Sequence, residues 1–390
     1  IRSKPIKPPT NMQSNYKPIG DYIQLIDNRN TDLAIKKLLG INIDKFFMPS
    51  VANIVDTDLS KYKIVKKNQF ACNRMHVGRD YRIPIAKSEN DSDFIVSPAY
   101  DVFEIIDQDV LLSEYLMMWF KRAEFDRNAW FYTDGDVRGG LSWNDFCNIK
   151  LPIPSLTKQQ EAVYEYNIIQ RRIDLNKQLC EKLEETAQTL YRKYFVDDFD
   201  EENLPEGWRW GKLGEVAIIS MGQSPIGESY NSDGLGEIFY QGRSDFGNRY
   251  PTIRMFTDEP TKIAKQGDVL LSVRAPVGDI NIAPHNCCIG RGLASIRNKR
   301  KHKSYMFYLT KSLKSDFSIA ASEGTIFGSI NRETLININI IIPDENVVQR
   351  FEKEVLNIDR LYENINLEIN KLKEILSLLL SKIGRKDKLL

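Results

Sequence analysis

The side chains in this sequence that best suit specific chemistry are hydrogen-bonding groups in loops that contain glycine. Arg74 opens one such segment, which runs to Gly78, and Arg274 opens a second, which runs to Gly278. Each segment follows a short apolar run that predicts a β-strand. An arginine guanidinium presents its N–H donors as a planar fork that can make two parallel hydrogen bonds to one partner. We interpret the two segments as equivalent places in two copies of one unit, where the chain recognises a ligand.

Motifs for catalysis or cofactor binding are absent from the sequence. It contains no Gly-x4-Gly-Lys-Ser/Thr loop and no Asn-Pro-Pro-Tyr or Asp-Pro-Pro-Tyr segment, and the glycine-rich segment 290–295 ends in serine, unlike a dinucleotide-binding fingerprint. His76, His285 and His302 lie far apart and show neither metal-ligand nor catalytic-triad spacing. We therefore predict no catalytic residue, no metal site and no cofactor bound by this chain.

The cysteine spacing and the short apolar runs limit the cellular compartment in which the protein is expected. The five cysteines include no C-x-x-C pair, which is typical of a protein kept reduced in the cytoplasm. No apolar run approaches the ~20 residues that a membrane span needs, and no signal peptide is visible. We predict a cytoplasmic protein with no membrane contact. Residues 1–15, which contain three prolines, are interpreted as an extended or partly ordered leader.

A long C-terminal helix must position the globular parts of the chain. Its apolar residues recur at seven-residue spacing in two rows, which is the pattern of a coiled-coil seam rather than of a helix lying on a sheet. The first row contains Val355, Tyr362, Ile369, Leu376 and Ile383, and the second contains Ile358, Ile365, Leu372 and Leu379.

An earlier stretch repeats this pattern with a constant shift of 189 residues. Its rows contain Tyr166, Ile173, Cys180, Ala187 and Tyr194, and Ile169, Asn176, Leu183 and Leu190. The approach to each helix agrees as well, because a proline stands at position 154 and again at position 343. The seam is therefore predicted to consist of Ile169, Ile173, Asn176, Leu183, Leu190, Ile358, Tyr362, Ile365, Ile369, Leu372 and Leu376.

The connection between these helices predicts that they run antiparallel. A compact domain of residues 206–343 must join the end of the first helix to the start of the second, so those ends have to be close. Asn176 is predicted to lie in the seam and to fix its register. The alternative is a solvated asparagine at the helix edge.

The predicted fold class is α+β: two α/β domains separated by an antiparallel two-helix coiled coil, with a pseudo-two-fold internal repeat. The predicted divisions are the leader (1–15), the first globular domain (16–156), the first long helix with its linker (157–205), the second globular domain (206–343) and the second long helix (344–390).

This layout resembles the specificity (S) subunit of type I restriction-modification enzymes. Five segments of the second globular domain are similar to segments that recur in the target-recognition domains of that family. They are Ser220 to Pro225, Gly227 to Asn231, Phe239 to Gly242, Asp268 to Gly278 and Ile289 to Ala294.

The resemblance implies a function and a set of partners. Each globular domain would recognise one half of an asymmetric, two-part sequence in double-stranded DNA, and the helices would set the spacer between the halves. Two methyltransferase subunits, which carry S-adenosylmethionine, would dock on the chain, and restriction and translocase subunits would join them. Residues 206–343 carry 17 basic and 13 acidic side chains, so partners would have to share the phosphate contacts.

Candidates for base contact follow from the resemblance and from side-chain chemistry, because arginine can make two hydrogen bonds to guanine and glutamine can do so with adenine. They are Arg74, His76, Arg79, Tyr132 and Arg138 in the first domain, and Gln223, Ser224, Tyr230, Gln241, Arg243, Arg274, Arg291 and Thr325 in the second. For each arginine the alternative is a solvated or intramolecularly paired charge, and for the tyrosines it is packing in a core. The basic run 297–303 could follow phosphates or could simply be a polar loop before a helix.

Two other function classes stay open on the sequence alone. One is a non-catalytic coiled-coil adaptor whose globular domains bind proteins instead of DNA. The other is an enzyme, such as a methyltransferase fused to its recognition domains, and the missing catalytic motifs disfavour it.

Overall fold

The computed structural model describes residues 16–50, 57–75, 77–133, 139–197, 200, 202–324 and 328–383. The chain divides into two compact units. The first unit comprises Ile1–Asn176 and Glu368–Leu390, and the second comprises Lys177–Leu367.

The first unit is built from short strands and helices followed by the start of a long helix. Its strands are β1 (Tyr16–Pro18), β2 (Ile23–Ile26), β3 (Leu39–Ile41), β4 (Phe47–Pro49), β5 (Lys63–Val65), β6 (Phe70–Cys72), β7 (Ile85–Lys87), β8 (Phe94–Val96), β9 (Asp101–Ile105) and β10 (Lys150–Pro152). Its helices are α1 (Val77–Asp80), α2 (Ser113–Phe120), α3 (Ala123–Phe131) and α4 (Trp143–Asn148), and the long helix is α5 (Leu156–Phe195).

The second unit contains the rest of α5, a second set of short strands and helices, and the start of a second long helix. Its strands are β11 (Arg209–Lys212), β12 (Ala217–Met221), β13 (Tyr230–Asn231), β14 (Glu237–Tyr240), β15 (Phe256–Thr257), β16 (Ile263–Ala264), β17 (Val269–Ser272), β18 (Ile280–Ile282), β19 (Cys287–Ile289), β20 (Leu293–Asn298) and β21 (Asn339–Ile342). Its helices are α6 (Leu213–Val216), α7 (Lys303–Ser312), α8 (Lys314–Gly324), α9 (Arg332–Ile336) and α10 (Glu345–Lys382).

The central sheets of the two units have the same strand order. In the first unit the order is β2-β9-β6-β7, and in the second it is β12-β20-β17-β18. A smaller antiparallel pair accompanies each sheet, β1 with β10 and β11 with β21. The units differ in their additional strands, since β3 pairs β4 and β5 pairs β8 in the first, whereas a five-stranded sheet, β13-β15-β14-β19-β16, is added in the second.

The approach to each long helix is repeated in detail. Ser142 caps α4 by accepting a hydrogen bond from the Asp145 amide, and Asn331 caps α9 by accepting one from the Thr334 amide. The long helices begin at Leu156 and Glu345, which preserves the 189-residue shift of the sequence. These agreements confirm the predicted α+β fold and its internal repeat.

Aromatic and aliphatic side chains fill the core of each unit. Phe70 and Phe103 stack in the first unit with ring centroids 5.1 Å apart, and helix α2 contributes Leu116 and Phe120 to the same core. In the second unit the sheet packs against α7 and against Phe351 of α10. The aromatic and methionine residues of segment 115–120 are thus core residues.

Segments of the two long helices pack against each other in antiparallel orientation within each unit. In the first unit Arg172 donates to Glu368 at 2.8 Å, and Ile383 packs on the same cluster as Val163. In the second unit the ring of Tyr191 lies 5.9 Å from that of Phe351, and Arg249 bridges Glu184 to Asp359 further along. In both units, residues later in α5 lie beside residues earlier in α10. This is the antiparallel pairing expected from the sequence.

The predicted seam residues all lie on the less exposed side of these helices. Ile173, Asn176, Tyr362, Ile365 and Ile369 are buried. The half-buried members are Ile169, Leu183, Leu190, Ile358, Leu372 and Leu376. Asn176 is 4% exposed, so the alternative of a solvated asparagine is wrong.

None of the described helices is long and apolar enough to cross a membrane.

Candidate nucleic-acid interface

Three neighbouring strands of the second unit continue their pairing beyond the regular sheet. The Gly222 amide donates to the Leu293 carbonyl at 2.9 Å, and the Val273 amide donates to the Gly292 carbonyl at 2.9 Å. The Arg291 amide, in the turn before β20, donates to Ser224 Oγ at 3.3 Å, and Arg274 is the next residue after Val273. Ser224, Arg274 and Arg291 therefore all lie just beyond the paired strands at this end of the sheet.

A further segment joins this sheet end because glycines let the backbones approach closely. The Gly290 amide donates to the Tyr240 carbonyl at 2.9 Å, and a Cβ at Gly290 would lie 2.7 Å from the carbonyl oxygen of Gln241. A Cβ at Gly222 would lie 2.2 Å from the carbonyl oxygen of Gly290. No side chain fits at either position, so only glycine allows the segments to converge.

We call Gln223, Ser224, Gln241, Arg274 and Arg291 the sheet-end cluster. All are exposed except Ser224, which is half-buried and accepts a hydrogen bond from the Arg291 amide at 3.3 Å. Within the described part of the chain, neither Arg274 nor Arg291 forms an ion pair. Two uncompensated guanidinium groups beside two amide side chains suit a ligand that is rich in hydrogen-bond acceptors and negatively charged.

Two other candidates of the second unit are engaged within the protein. The Tyr230 hydroxyl donates to the Pro225 carbonyl at 2.9 Å, and its ring packs on Phe239. Arg243 Nε donates to Asp279 at 2.8 Å. The hydrogen bond from Lys314 to Asp279, helped by that from Arg243, lowers the pKa of the Asp279 carboxyl. Thr325 lies outside the described residues.

The candidates of the first unit do not form a comparable group. Arg74 Nε donates to Asp101 at 2.6 Å, and its guanidinium also bonds to the Leu141 carbonyl and lies over the Trp143 ring. Arg79 is exposed and pairs with the adjacent Asp80 at 2.7 Å. Tyr132 is 39% exposed and contacts the ring of Phe131. His76 and Arg138 lie outside the described residues.

The predicted equivalence of Arg74 and Arg274 is wrong by one residue. The Leu141 amide donates to the Arg74 carbonyl at 3.0 Å, whereas in the second unit the Ile330 amide donates to the Val273 carbonyl at 3.0 Å. Leu141 and Ile330 differ by the repeat shift of 189, so Arg74 matches Val273 and Met75 matches Arg274. Successive residues of an extended chain face opposite sides. Arg74 is therefore turned inward like Val273.

Reasoning from the sequence alone does not identify Met75 as the equivalent of Arg274. Met75 occupies the corresponding position in the first unit, and it is 43% exposed. Aligning Gly78 with Gly278 hides the match between Met75 and Arg274. The segment from the Val273 carbonyl to Gly278 is one residue longer than the segment from the Arg74 carbonyl to Gly78.

The basic run 297–303 serves mainly internal contacts. Arg297 forms an ion pair with the buried Asp268 at 2.5 Å, and Lys299 donates to the Gly214 carbonyl at 2.7 Å. Arg300 and His302 both bond to Glu345 at the start of α10. These contacts favour the interpretation as a polar loop before a helix over a phosphate-binding run.

The described residues contain no group of three or more histidine, cysteine, aspartate or glutamate side chains placed to hold a metal ion.

Comparisons with known proteins agree on one family. The family described as "Type I restriction modification DNA specificity domain" matches residues 205–377. The type I restriction enzyme MjaX specificity subunit of Methanocaldococcus jannaschii is 28% identical over 94% of this chain and 92% of its own length. The type I restriction enzyme HindI specificity subunit of Haemophilus influenzae is 21% identical over 94% of this chain and 97% of its own length.

A solved structure supports the fold. The S subunit of a type I restriction-modification system from M. genitalium superposes with a TM-score of 0.58 and 15% identity, covering 98% of each chain. The chain is therefore similar to type I restriction enzyme specificity subunits over most of its length, and its residues 205–377 match the specificity domain.

Proposed function

We propose that this chain is the DNA-specificity subunit of a type I restriction-modification complex and that the sheet-end cluster of the second unit contacts bases. The observation that carries the proposal is the exposure of Arg274 and Arg291 in the segments that follow β17 and precede β20, near Gln223 and Gln241. Relatives that match most of the chain are specificity subunits, which favours this function over a protein-binding adaptor.

The side chains of the cluster define the kind of sequence that it would recognise. An arginine in the major groove binds O6 and N7 of guanine through two hydrogen bonds, and a glutamine binds N6 and N7 of adenine. Ser224 can donate to or accept from either kind of base edge. We therefore expect the half-site of the second unit to contain at least one guanine.

The first unit would recognise a different half-site. Met75 replaces arginine at the equivalent strand end, and a thioether presents apolar surface that suits the methyl group of thymine better than the acceptors of guanine. Arg74 cannot substitute for it, because Asp101 and the Leu141 carbonyl hold its guanidinium. Because the two units share a fold and differ in their loop side chains, they would together recognise an asymmetric DNA sequence.

The long helices would set the number of unread base pairs between the half-sites. Both α5 and α10 contain residues of each unit. Because a helix rises about 1.5 Å per residue, one added turn lengthens it by about 5.4 Å, somewhat more than the spacing of a base pair. The accepted spacer should therefore change with helix length.

Chemistry would be supplied by partners. We propose that the chain itself is non-catalytic and works with two methyltransferase subunits, which carry S-adenosylmethionine, and with restriction and translocase subunits that join for cleavage. A formal charge of only +1 supports this division, because a chain that bound DNA alone would need a larger excess of cations to neutralise phosphates.

The test is to express the chain with its methyltransferase subunits in cells that lack adenine methylation and to sequence the methylated adenines in their DNA. We expect one two-part motif with a fixed spacer, and no motif when the chain is omitted. Methylation that does not depend on this chain, or a motif without two parts, would contradict the proposal.

A further inference from the structure

A buried arginine joins the globular part of the second unit to both long helices. Arg249 lies in the loop between β14 and β15, and its side chain is 2% exposed. Its Nη1 donates to Glu184 of α5 at 3.0 Å, and its Nη2 donates to Asp359 of α10 at 2.5 Å. One guanidinium from the second globular domain therefore binds one carboxylate on each long helix.

Aromatic rings beside Arg249 constrain the orientation of its guanidinium. The guanidinium carbon lies 4.5 Å from the centre of the Phe307 ring and 4.6 Å from that of the Tyr362 ring. Cation–π contacts of this kind constrain the plane of the guanidinium. They also exclude water, which strengthens the two ion pairs.

Both carboxylates have a second partner on α7. Tyr308 donates to Asp359 at 3.3 Å, and Lys311 donates to Glu184 at 2.6 Å. The ion pairs thus belong to a network that includes α5, α7, α10 and the loop. Such a network has fewer alternative arrangements than an isolated surface ion pair.

The loop that carries Arg249 is itself attached to the central sheet. The Ile282 amide donates to the Arg249 carbonyl at 2.8 Å, and the Asn281 side chain bonds to both the amide and the carbonyl of Gly247, each at 3.1 Å. The same loop begins at Gln241, whose amide donates to Asp245 at 2.7 Å. A short, hydrogen-bonded segment therefore links a candidate base-contacting residue to the helix pair.

We propose that Arg249 is a positioning residue that fixes the orientation of the second globular domain, residues 206–343, on the helix pair. It would thereby set which spacer lengths the chain accepts. It does so without touching DNA. The inference rests on the proposed function, because a spacer requirement exists only if the chain recognises a two-part target.

The experiment measures methylation by the complete complex of this chain with its methyltransferase subunits. Substrates are duplexes that contain the two-part sequence with its natural spacer, or with one base pair added or removed. Arg249→Lys keeps one charge but loses the fork that reaches both carboxylates. Arg249→Met combined with Asp359→Asn removes the guanidinium and one of its two carboxylate partners, while Glu184 keeps its bond from Lys311, so that fewer buried groups are left unpaired.

A matched control is Arg297→Met. Arg297 pairs with the buried Asp268 inside the sheet and contacts neither long helix through that pair. The control loses a partly buried ion pair of the same domain, so it separates reduced stability from lost orientation. Thermal unfolding of each complex is recorded alongside methylation.

We expect both Arg249 variants to lose about tenfold in their preference for the natural spacer over the altered ones. The bases required in each half should stay the same, and Arg297→Met should keep the wild-type spacer preference even if its unfolding temperature falls. Such a result distinguishes positioning from a general structural role.

Three results would overturn the inference. They are an unchanged spacer preference in folded Arg249 variants, a changed base requirement in the second half-site, and failure of both variants to fold, which would make the contact a requirement of folding itself. Failure of the proposed function would be visible separately, because the wild-type complex would then methylate no two-part sequence at all.

Discussion

Arg74 Nε donates a hydrogen bond to Asp101 Oδ2 at 2.6 Å, and this pair holds the arginine against its own sheet. Both side chains are about four-fifths buried, since 19% of Arg74 and 20% of Asp101 is exposed. An arginine that looks like a base-contacting residue in the sequence is therefore a structural residue of the first unit.

Arg74→Met should destabilise the first unit without changing base preference. It removes a charge-assisted hydrogen bond to a mostly buried carboxylate, so we expect the free energy of unfolding to fall by ~1–3 kcal/mol. Urea unfolding measures this loss. Arg79→Met, which breaks an exposed pair with Asp80, is the control and should leave the free energy of unfolding nearly unchanged. Intact stability together with an altered methylation motif would show that Arg74 contacts DNA after all.

Arg291→Ala should weaken recognition of one half-site only. If Arg291 makes two hydrogen bonds to a guanine, its removal should cost ~1–3 kcal/mol in binding and relax the requirement for that base. Binding of duplexes with single-base changes, measured with the methyltransferase subunits present, gives both quantities. Arg243→Ala is a suitable comparison, because Asp279 already engages that side chain. An unchanged sequence preference of the Arg291 variant would rule out the assignment.

Gly290→Ala should disturb the sheet-end cluster. The new methyl group would lie 2.7 Å from the Gln241 carbonyl oxygen, so the strands that carry Arg291 and Gln241 would have to separate. We expect at least a tenfold loss of DNA binding, equivalent to ~1.4 kcal/mol. Gly227→Ala is the matched control, since nothing lies within 4 Å of a Cβ at that position. Equal binding by both variants would mean that the cluster does not form the interface.

The stability of the second unit should fall at alkaline pH, partly through Tyr191. Burial raises the pKa of Tyr191 to about 12, although its hydrogen bond with Ser312 acts in the opposite direction. The unfolded chain releases this proton near pH 10, whereas the folded chain keeps it. Between pH 10 and 12 the unfolded state therefore binds fewer protons, and stability declines by about 3 kcal/mol from this group.

Tyr191→Phe tests that assignment. Urea unfolding from pH 8 to 11.5 should show a shallower decline in the variant than in the wild type. Tyr164→Phe removes an exposed hydroxyl from the same helix and should leave the decline unchanged. A decline that is equally steep in wild type and Tyr191→Phe would show that Tyr191 does not contribute to it.

The helices could be predicted well because their signal is local and repetitive. The heptad rows around Tyr362 and Ile173 require only the sequence of one segment, and the duplicated prolines fixed the shift between the copies. The observed starts at Leu156 and Glu345 keep that shift. Strand order depends on pairings between distant segments, so the sequence could suggest an α+β domain but not the order β2-β9-β6-β7.

The site could be predicted only in part, because side-chain partners are distant in sequence. Arg74 and Arg291 have the same chemistry and both precede a glycine-containing segment, yet Asp101 engages the first, and no described acidic side chain forms an ion pair with the second. The sequence does not single out Arg249, because its carboxylate partners lie 65 and 110 residues away along the chain. A one-residue difference in loop length likewise concealed Met75, since strand pairing and not glycine spacing decides which residue faces outward.

The most direct test of two independent recognition units is to replace residues 206–343 with the corresponding segment of a known type I specificity subunit and to sequence the methylated adenines in cells that contain the hybrid. The account predicts a new motif in which one half is changed and the other half is that of the wild type. A motif changed in both halves, or in neither, would contradict it.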